Sequence, residues 1–308
     1  MADRIEVFDR QLLRQRRERA AATLPDYDFL FDEVADRLVD RLADIRRDFT
    51  SALDLGCHTG FVAKAAARLP AGKIGSLVQT DLSPRMAAVA LADTGIAALA
   101  ADEEALPFRD GSFDLILSCA SLHHVNDLPG TLVQIQRALK PDGVFLAALF
   151  GGATLTELRQ SWLAAESAIE GGAGPRVAPF ADLRDAAGLL QRAGFALPVA
   201  DTDTITVTYD NPLKLMADLR GMGETNMLLE RRRTPTRRAT LMAVAEQYMR
   251  QFAGADGRAP ATFQILYLTG WAPADNQPQA LRPGSATARL AEALDAPEHS
   301  AGEKSGPH

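Results

Sequence analysis

LDLGCHTG, residues 53–60, joins an apolar stretch that reads as a strand, Ser51–Leu55, to a helical stretch running to about Leu69. Gly56 and Gly60 let the backbone turn sharply and let a ligand approach without a Cβ in the way. The spacing is G-x-x-x-G with Phe61 following, so it is not the dinucleotide fingerprint G-x-G-x-x-G. The Lys-Ser/Thr pair of a phosphate loop is also missing. A glycine turn between a first strand and a first helix opens many α/β folds, and its meaning depends on the chain downstream of it.

That downstream chain repeats the same unit. Ile74–Thr80 reads as a strand, Pro84–Leu91 as a helix and Ala97–Ala101 as a short strand. Ser112–Ser118 is a strongly apolar strand, Leu128–Leu139 a helix and Gly143–Phe150 a further buried strand. Apolar strands alternating with helices predict a parallel sheet covered on both faces, wound as an open, doubly wound α/β fold. Upstream, Phe31, Val34, Leu38, Leu42 and Ile45 recur at helical spacing, so residues 1–45 read as an N-terminal helical segment. Downstream, helices are expected over Leu155–Ile169, Phe180–Ala193, Pro212–Leu219 and Pro235–Phe252. Asp201–Tyr209 alternates with period two, as an edge strand does, and Thr262–Trp271 closes the domain, expected over 46–272. The tail, 273–308, is rich in Ala, Pro, Gly, Ser and Glu and reads as disordered.

The ends of the strands carry the chemistry. Asp54 lies in the first turn, Asp81 and Leu82 end the second strand, Asp102 and Glu103 follow the third, and Ser118 ends the fourth. In an open sheet these loops meet at the switch point where such folds bind ligands. An acidic residue at the end of the second strand suits ribose hydroxyls, and acidic residues after the third suit an adenine edge. Carboxylates also tolerate a positive sulfonium better than a pyrophosphate. The set Asp54, Gly56, Gly60, Asp81, Leu82, Asp102, Glu103 and Ser118 therefore predicts S-adenosylmethionine (SAM) as cofactor. The competing reading makes each of them a turn or cap residue.

Bulk properties narrow the class. The 308 residues carry a formal net charge of −7, which argues against a general nucleic-acid binder. Two cysteines, Cys57 and Cys119, are too few for a disulfide framework and suit a reducing compartment. No run approaches the roughly eighteen apolar residues of a membrane span. The N-terminus lacks a secretory apolar region and mixes Asp and Glu among its arginines, so a cytoplasmic protein is expected.

With these motifs in place, the sequence resembles the class I SAM-dependent methyltransferases. LDLGCHTG is similar to their first motif, TDLSPRM (80–86) to their second, and residues 101–145 to the stretch through their fourth and fifth strands. The resemblance implies a seven-stranded, Rossmann-like methyltransferase sheet with helical additions, whose last two strands form an antiparallel hairpin. A narrower resemblance covers the chain to about residue 290. FDRQLLRQRRERAA (8–21), ADEEALPF (101–108), LHHVNDLP (122–129), GMGETN (221–226), PATFQILYLTGW (260–271) and RPGSAT (282–287) look like the methyltransferase-like assembly factor family of respiratory complex I. That family is implied to hydroxylate an arginine of a complex I core subunit. A more distant resemblance is to the malonyl carrier-protein methyltransferases. His58 stands where methyltransferases usually carry the central glycine of the first motif, and it weakens methyl transfer as the activity.

Methyl transfer to a carboxylate needs positioning and no base, whereas an amine or hydroxyl acceptor needs a general base. His123 and His124 follow the fourth strand and are the candidate catalytic residues, as base or substrate-orienting groups. Together with His58, Cys57 and Cys119 they are expected on one rim. The plainer reading makes the cysteines packing residues and the histidines a pocket wall; a third, a metal site built from some of these residues, lacks any recognised ligand spacing, and no metal is expected. The arginines at 10–19 and 231–238 read as solvated helix faces, or as docking sites for an acidic partner or membrane surface. Residues 151–260, with GMGETN read as a helix stop and a new cap, form a candidate lid that selects the acceptor, a protein subunit or a carrier protein. Three readings stay open: arginine hydroxylase in complex I assembly, SAM-dependent methyltransferase, and a non-catalytic assembly factor. The oligomeric state is not legible.

Overall fold

The computed structural model describes residues 6–278, 292 and 294–297. Seven strands form one sheet in the order β3-β2-β1-β4-β5-β7-β6. They are β1 (Phe49–Leu55), β2 (Ile74–Asp81), β3 (Ala98–Ala100), β4 (Phe113–Cys119), β5 (Leu139–Phe150), β6 (Ala196–Tyr209) and β7 (Ala259–Trp271). The first five pair in parallel. The chain winds outward from β1 to β3, then restarts at β4 on the other side of β1. This places the switch point at the carboxyl ends of β1 and β4, beside LDLGCHTG. The seven-stranded α/β sheet is the one expected.

Alternation along the strands splits the core into two faces. Leu115, Leu117, Val144, Leu146 and Phe150 pack with one set of helices; Ile116, Phe145, Ala147 and Leu149 pack with the other. Both faces are covered, which is why β4 is buried at every position. The first face is covered by α2 (Phe29–Ala43), α3 (Phe61–Ala66), α6 (Thr156–Glu170), α8 (Pro212–Gly221) and α9 (Arg238–Phe252). The second carries α5 (Leu128–Ala138) and α7 (Leu183–Arg192). Two further helices, α1 (Arg10–Ala20) and α4 (Pro84–Thr94), are in contact near the carboxyl ends of the strands. The described part of the N-terminal helical segment thus shares the core of the sheet through Leu24, Leu30, Phe31, Val34 and Leu38.

Local chemistry sets the boundaries. Ser83 accepts the Met86 N–H ahead of Pro84 and starts α4, and Gly95, in the left-handed region, stops it. Asp182 accepts the Asp185 N–H, so α7 begins at Leu183 rather than at Phe180. β6 and β7 pair antiparallel, as expected, and β6 is the edge strand. They are not a tight hairpin: α8 and α9 lie between them, and β7 runs between β5 and β6, antiparallel to both. GMGETN stops a helix without capping a new one. The Met222 and Gly223 N–H groups bond back to Asp218 and Arg220, and irregular chain continues to α9. Of 273–308, most residues lie outside those described, and RPGSAT lies wholly outside them.

Candidate active site

At the switch point the sequence brings together a cage of carboxylates, and the fold adds arginines from α1. Asp81 ends β2 fully buried. Its Oδ1 accepts the Ser83 N–H at 2.7 Å, and its Oδ2 accepts the His58 N–H at 3.1 Å and Arg17 Nη1 at 3.2 Å. Glu103, also fully buried, accepts Arg17 Nη1 at 3.2 Å and the Ser121 hydroxyl at 2.7 Å on Oε1, and Arg10 on Oε2. Arg17 Nη2 donates to Ser121 Oγ at 3.0 Å. Asp102, half-exposed, takes Arg10 Nη2 at 2.6 Å.

Burial of this cage would neutralise its members, and the arginines decide the outcome. Burial works against the charge on Glu103, yet Arg10 and Arg17 hold it down to about 2. Burial likewise opposes the charge on Arg17, and Asp81 and Glu103 more than restore it. Asp54 has no such partner. It ends β1 fully buried with neither carboxylate oxygen hydrogen-bonded, and burial, then Asp81, pushes it up to about 8. A buried acid without a donor is a place for a ligand's cationic or N–H group.

The expectation of solvated arginines at 10–19 is therefore corrected for Arg10 and Arg17, while Arg14 and Arg19 are exposed. Arg17 is 1% exposed. The reason is tertiary: the chain entering α1 is tied down on two sides. Asn126 Oδ1 accepts the Val7 and Phe8 N–H groups, and the Asp9 N–H donates to Met227 O at 2.8 Å. Asp9 also caps α1 by accepting the Leu12 N–H. In the second cluster, Arg231 pairs with Asp9, and Arg232 with Glu170, while Arg233, Arg237 and Arg238 stay exposed.

The other expected residues sort themselves by what they touch. Gly56 has φ +75°, and a Cβ there would stand 2.2 Å from Ser121 Oγ and 3.3 Å from Glu103 Oε1, so it borders the cage. Gly60 borders α4 instead: its Cβ would meet Thr94 Cγ2 at 2.7 Å. Leu82 is half-buried beside Asp81. The Ser118 hydroxyl is spent on Leu55 O at 2.8 Å, tying β4 to β1. Gly56→Ala is expected to lower stability in urea denaturation by about 1–3 kcal/mol more than Gly72→Ala does. Gly72 shares the left-handed φ but a Cβ there meets nothing, so equal losses would show that the cage tolerates the methyl.

The soft side chains are buried and do not form an open rim. β1 and β4 are neighbours, but Cys57 and Cys119 are buried, with thiols pushed up by burial. The His58 ring turns to stack on Phe31 at 4.7 Å, and its Nε2–H donates to Ala120 O at 3.0 Å. Burial and then Arg17 hold His58 neutral, lowered to about 3. His123 and His124 lie in a tight turn after β4, and the Nε2 of each is 3.4 Å from Glu224 Oε2. Glu224 belongs to GMGETN, about a hundred residues away in sequence, and nothing in its local spacing announces the contact. Beside this cluster lies a pocket of about 260 Å3, lined by His124, Glu224, Phe150, Trp162, Arg176 and Arg220 among others. Arg176 lies 4.5 Å over the Trp162 ring and pairs with Glu166. The pocket wall comes largely from 151–260, the segment expected to select the acceptor.

Comparison with known proteins fits this geometry. Residues 53–147 match a methyltransferase domain family. The YcgJ protein of Bacillus subtilis shares the fold, with a TM-score of 0.53 at 17% identity, covering 78% of this chain and 98% of that one. The mouse (Mus musculus) protein named Arginine-hydroxylase NDUFAF5, mitochondrial, is 44% identical over 94% of this chain and 84% of its own. The chain belongs to the arginine-hydroxylase NDUFAF5 family. A Malonyl-[acyl-carrier protein] O-methyltransferase of Halorhodospira halophila is 33% identical over 86% of this chain and 88% of its own.

Membership of the NDUFAF5 family makes the chain an enzyme on a methyltransferase fold, and it corrects one expectation. The vertebrate members are named mitochondrial, which overturns the cytoplasmic placement drawn from composition and the N-terminus. Among the described residues no helix is long and apolar enough to cross a membrane.

Proposed function

We propose that the chain binds SAM at the switch point and hydroxylates an arginine of a respiratory complex I core subunit. The observation that carries the reading is the extent of the likeness to the NDUFAF5 arginine hydroxylases. At 94% of the chain it runs well beyond the 53–147 domain and takes in most of the segment that walls the pocket. The pocket chemistry agrees: one carboxylate, Glu224, with Phe150 and Phe180 in the same wall suits a guanidinium, which pairs with carboxylates and stacks on aromatic rings.

The crevice suits SAM by residue type. Gly56 lets the Ser121 side chain pack where a Cβ would strike, Asp54 offers an unpartnered carboxylate, and Asp81 stands at the end of β2. Bound there, SAM supplies a sulfonium charge and an activated methyl group. Arg17 holds Asp81 and Glu103 in the closed cage, so α1 gives ground when the crevice fills. Hydroxylation turns a C–H into C–OH with one atom of dioxygen; the other leaves as water with two protons and two electrons from an external reductant. His123, His124 and Glu224 face the position of the acceptor and orient it. A second reading, methyl transfer to a free carboxylate, is favoured by Arg220 in the pocket wall and by the carrier-protein methyltransferase likeness.

Peptide masses of complex I core subunits from cells with and without this gene test the two. An oxygen on an arginine that disappears with the gene is the expected result. A methylene lost in its place returns the protein to methyl transfer, and identical masses overturn the protein-substrate reading.

A further inference from the structure

We propose that His123, His124 and Glu224 form a binding site for one divalent first-row transition-metal ion, with open coordination positions facing the acceptor pocket. One ligand atom from each of the three residues lies within 4.8 Å of the others, and among the described residues this is the group that meets such a condition. The two imidazole Nε2 atoms each stand 3.4 Å from the same carboxylate oxygen. That spacing is long for a hydrogen bond between an imidazole N–H and a carboxylate, which closes to about 2.7–3.0 Å. It is the spacing of ligands around an ion: with metal–ligand distances of about 2.0–2.2 Å, adjacent donors sit about 3.0–3.4 Å apart.

The surroundings suit the same purpose. The imidazoles and Glu224 are nearly closed off from solvent. Both rings are locked by packing, His123 against Phe150 at 4.5 Å and His124 edge-on to Phe8 at 5.5 Å, so the donors are held before any ion arrives. The Nε2 atoms, which face Glu224, are the ones each ring offers an ion, and the Nδ1–H groups stay buried without a partner. Two imidazoles and one carboxylate form a donor set suited to ferrous ion and leave positions open for other ligands. His124 and Glu224 both line the pocket, so an ion held by them would border it. The site's bearing on oxygen chemistry rests on the hydroxylase reading; the binding of the ion does not.

Titration of the full-length protein with Co(II), followed by visible absorption, and with Fe(II) under anaerobic conditions, followed by metal analysis, tests the site. One equivalent is expected for each ion, with d–d bands for cobalt. Glu224→Gln and His123→Phe each weaken binding by more than the tenfold to hundredfold, roughly, that even an outer-shell change costs. Thermal unfolding with and without SAM shows whether each variant still folds, and His124→Phe supplies an independent third ligand change. Absence of cobalt bands in the native protein, or unchanged affinity in all three folded variants, overturns the proposal. If cobalt binds with these ligands while the subunit gains a methylene, the site stands and the hydroxylase reading falls.

Discussion

Arg17→Met is expected to lower the unfolding free energy by about 3–5 kcal/mol, the cost of removing one partner from a buried charge pair. Arg17 is fully buried, and it is a partner that Asp81 and Glu103 share. Its loss leaves Glu103 with Arg10 as its cation beside the Ser121 hydroxyl, and strips Asp81 of its cation, keeping the His58 and Ser83 N–H groups. Methionine keeps the apolar stem, so the loss reports the charge rather than a cavity. Urea denaturation reads it, and a loss below about 1 kcal/mol would place this pair with the surface ion pairs that contribute little. Saturating SAM separates the structural from the functional role. A ligand that binds only the folded state adds about 2.7 kcal/mol at a hundredfold excess over its Kd. At one fixed SAM concentration the gain is expected to be larger in Arg17→Met than in the native protein, where the guanidinium must first be displaced. An equal gain would show that the arginine and the cofactor do not compete.

The second large effect belongs to Asp54 and runs with pH. Its folded-state value is raised to about 8 from an ordinary 3.8, so the folded state holds a proton that the unfolded chain gives up. The contribution is fully present below about pH 4 and is lost as pH rises toward 8. Over that window stability falls by up to roughly 1 kcal/mol per pH unit. Asp54→Asn keeps the shape and removes the proton, so its stability between pH 5 and 8 is expected to be flatter, and it exceeds the native protein at pH 8. Glu103 runs the other way and in another window. Its value, held to about 2, gives stability that is present above about pH 4.5 and lost on acidification, so it does not blur the Asp54 signal. Urea midpoints across the range check both. Parallel pH profiles for native and Asp54→Asn would mean that Asp54 is ionised in the fold. A ligand ammonium placed at Asp54 draws off its proton, so SAM is expected to bind more tightly as pH rises to 8, and this dependence vanishes in Asp54→Asn.

The sheet and its crevice were legible because they rest on short-range rules. Strand periodicity, the turn at Gly56 and the acidic ends of β2 and β3 are written within a few residues of where they act. Near neighbours in sequence stay near in space, and parallel strands bring their carboxyl ends to one edge. Resemblance supplied the antiparallel pairing of β6 with β7, but the helices between them had to be seen as a crossing rather than a hairpin.

What tertiary structure decided is which charged groups meet across long separations. Arg17 and Glu103, 86 residues apart, read as a solvated helix residue and a cofactor ligand until α1 is laid over the crevice. The Asn126 side chain that anchors α1 meets it from 118 residues away, at Phe8. Ser118 looked like a ligand residue by its place at a strand end, and only the register of β4 on β1 turned its hydroxyl to Leu55 O. The pair His123–Glu224 spans 101 residues. Sequence by itself determined the fold, the crevice and the kinds of side chain around it, because periodicity and turn chemistry are local. Which carboxylate is neutral, which arginine is buried and which histidines face a common oxygen depends on distances of a few ångströms between distant segments, and only the packed chain sets those.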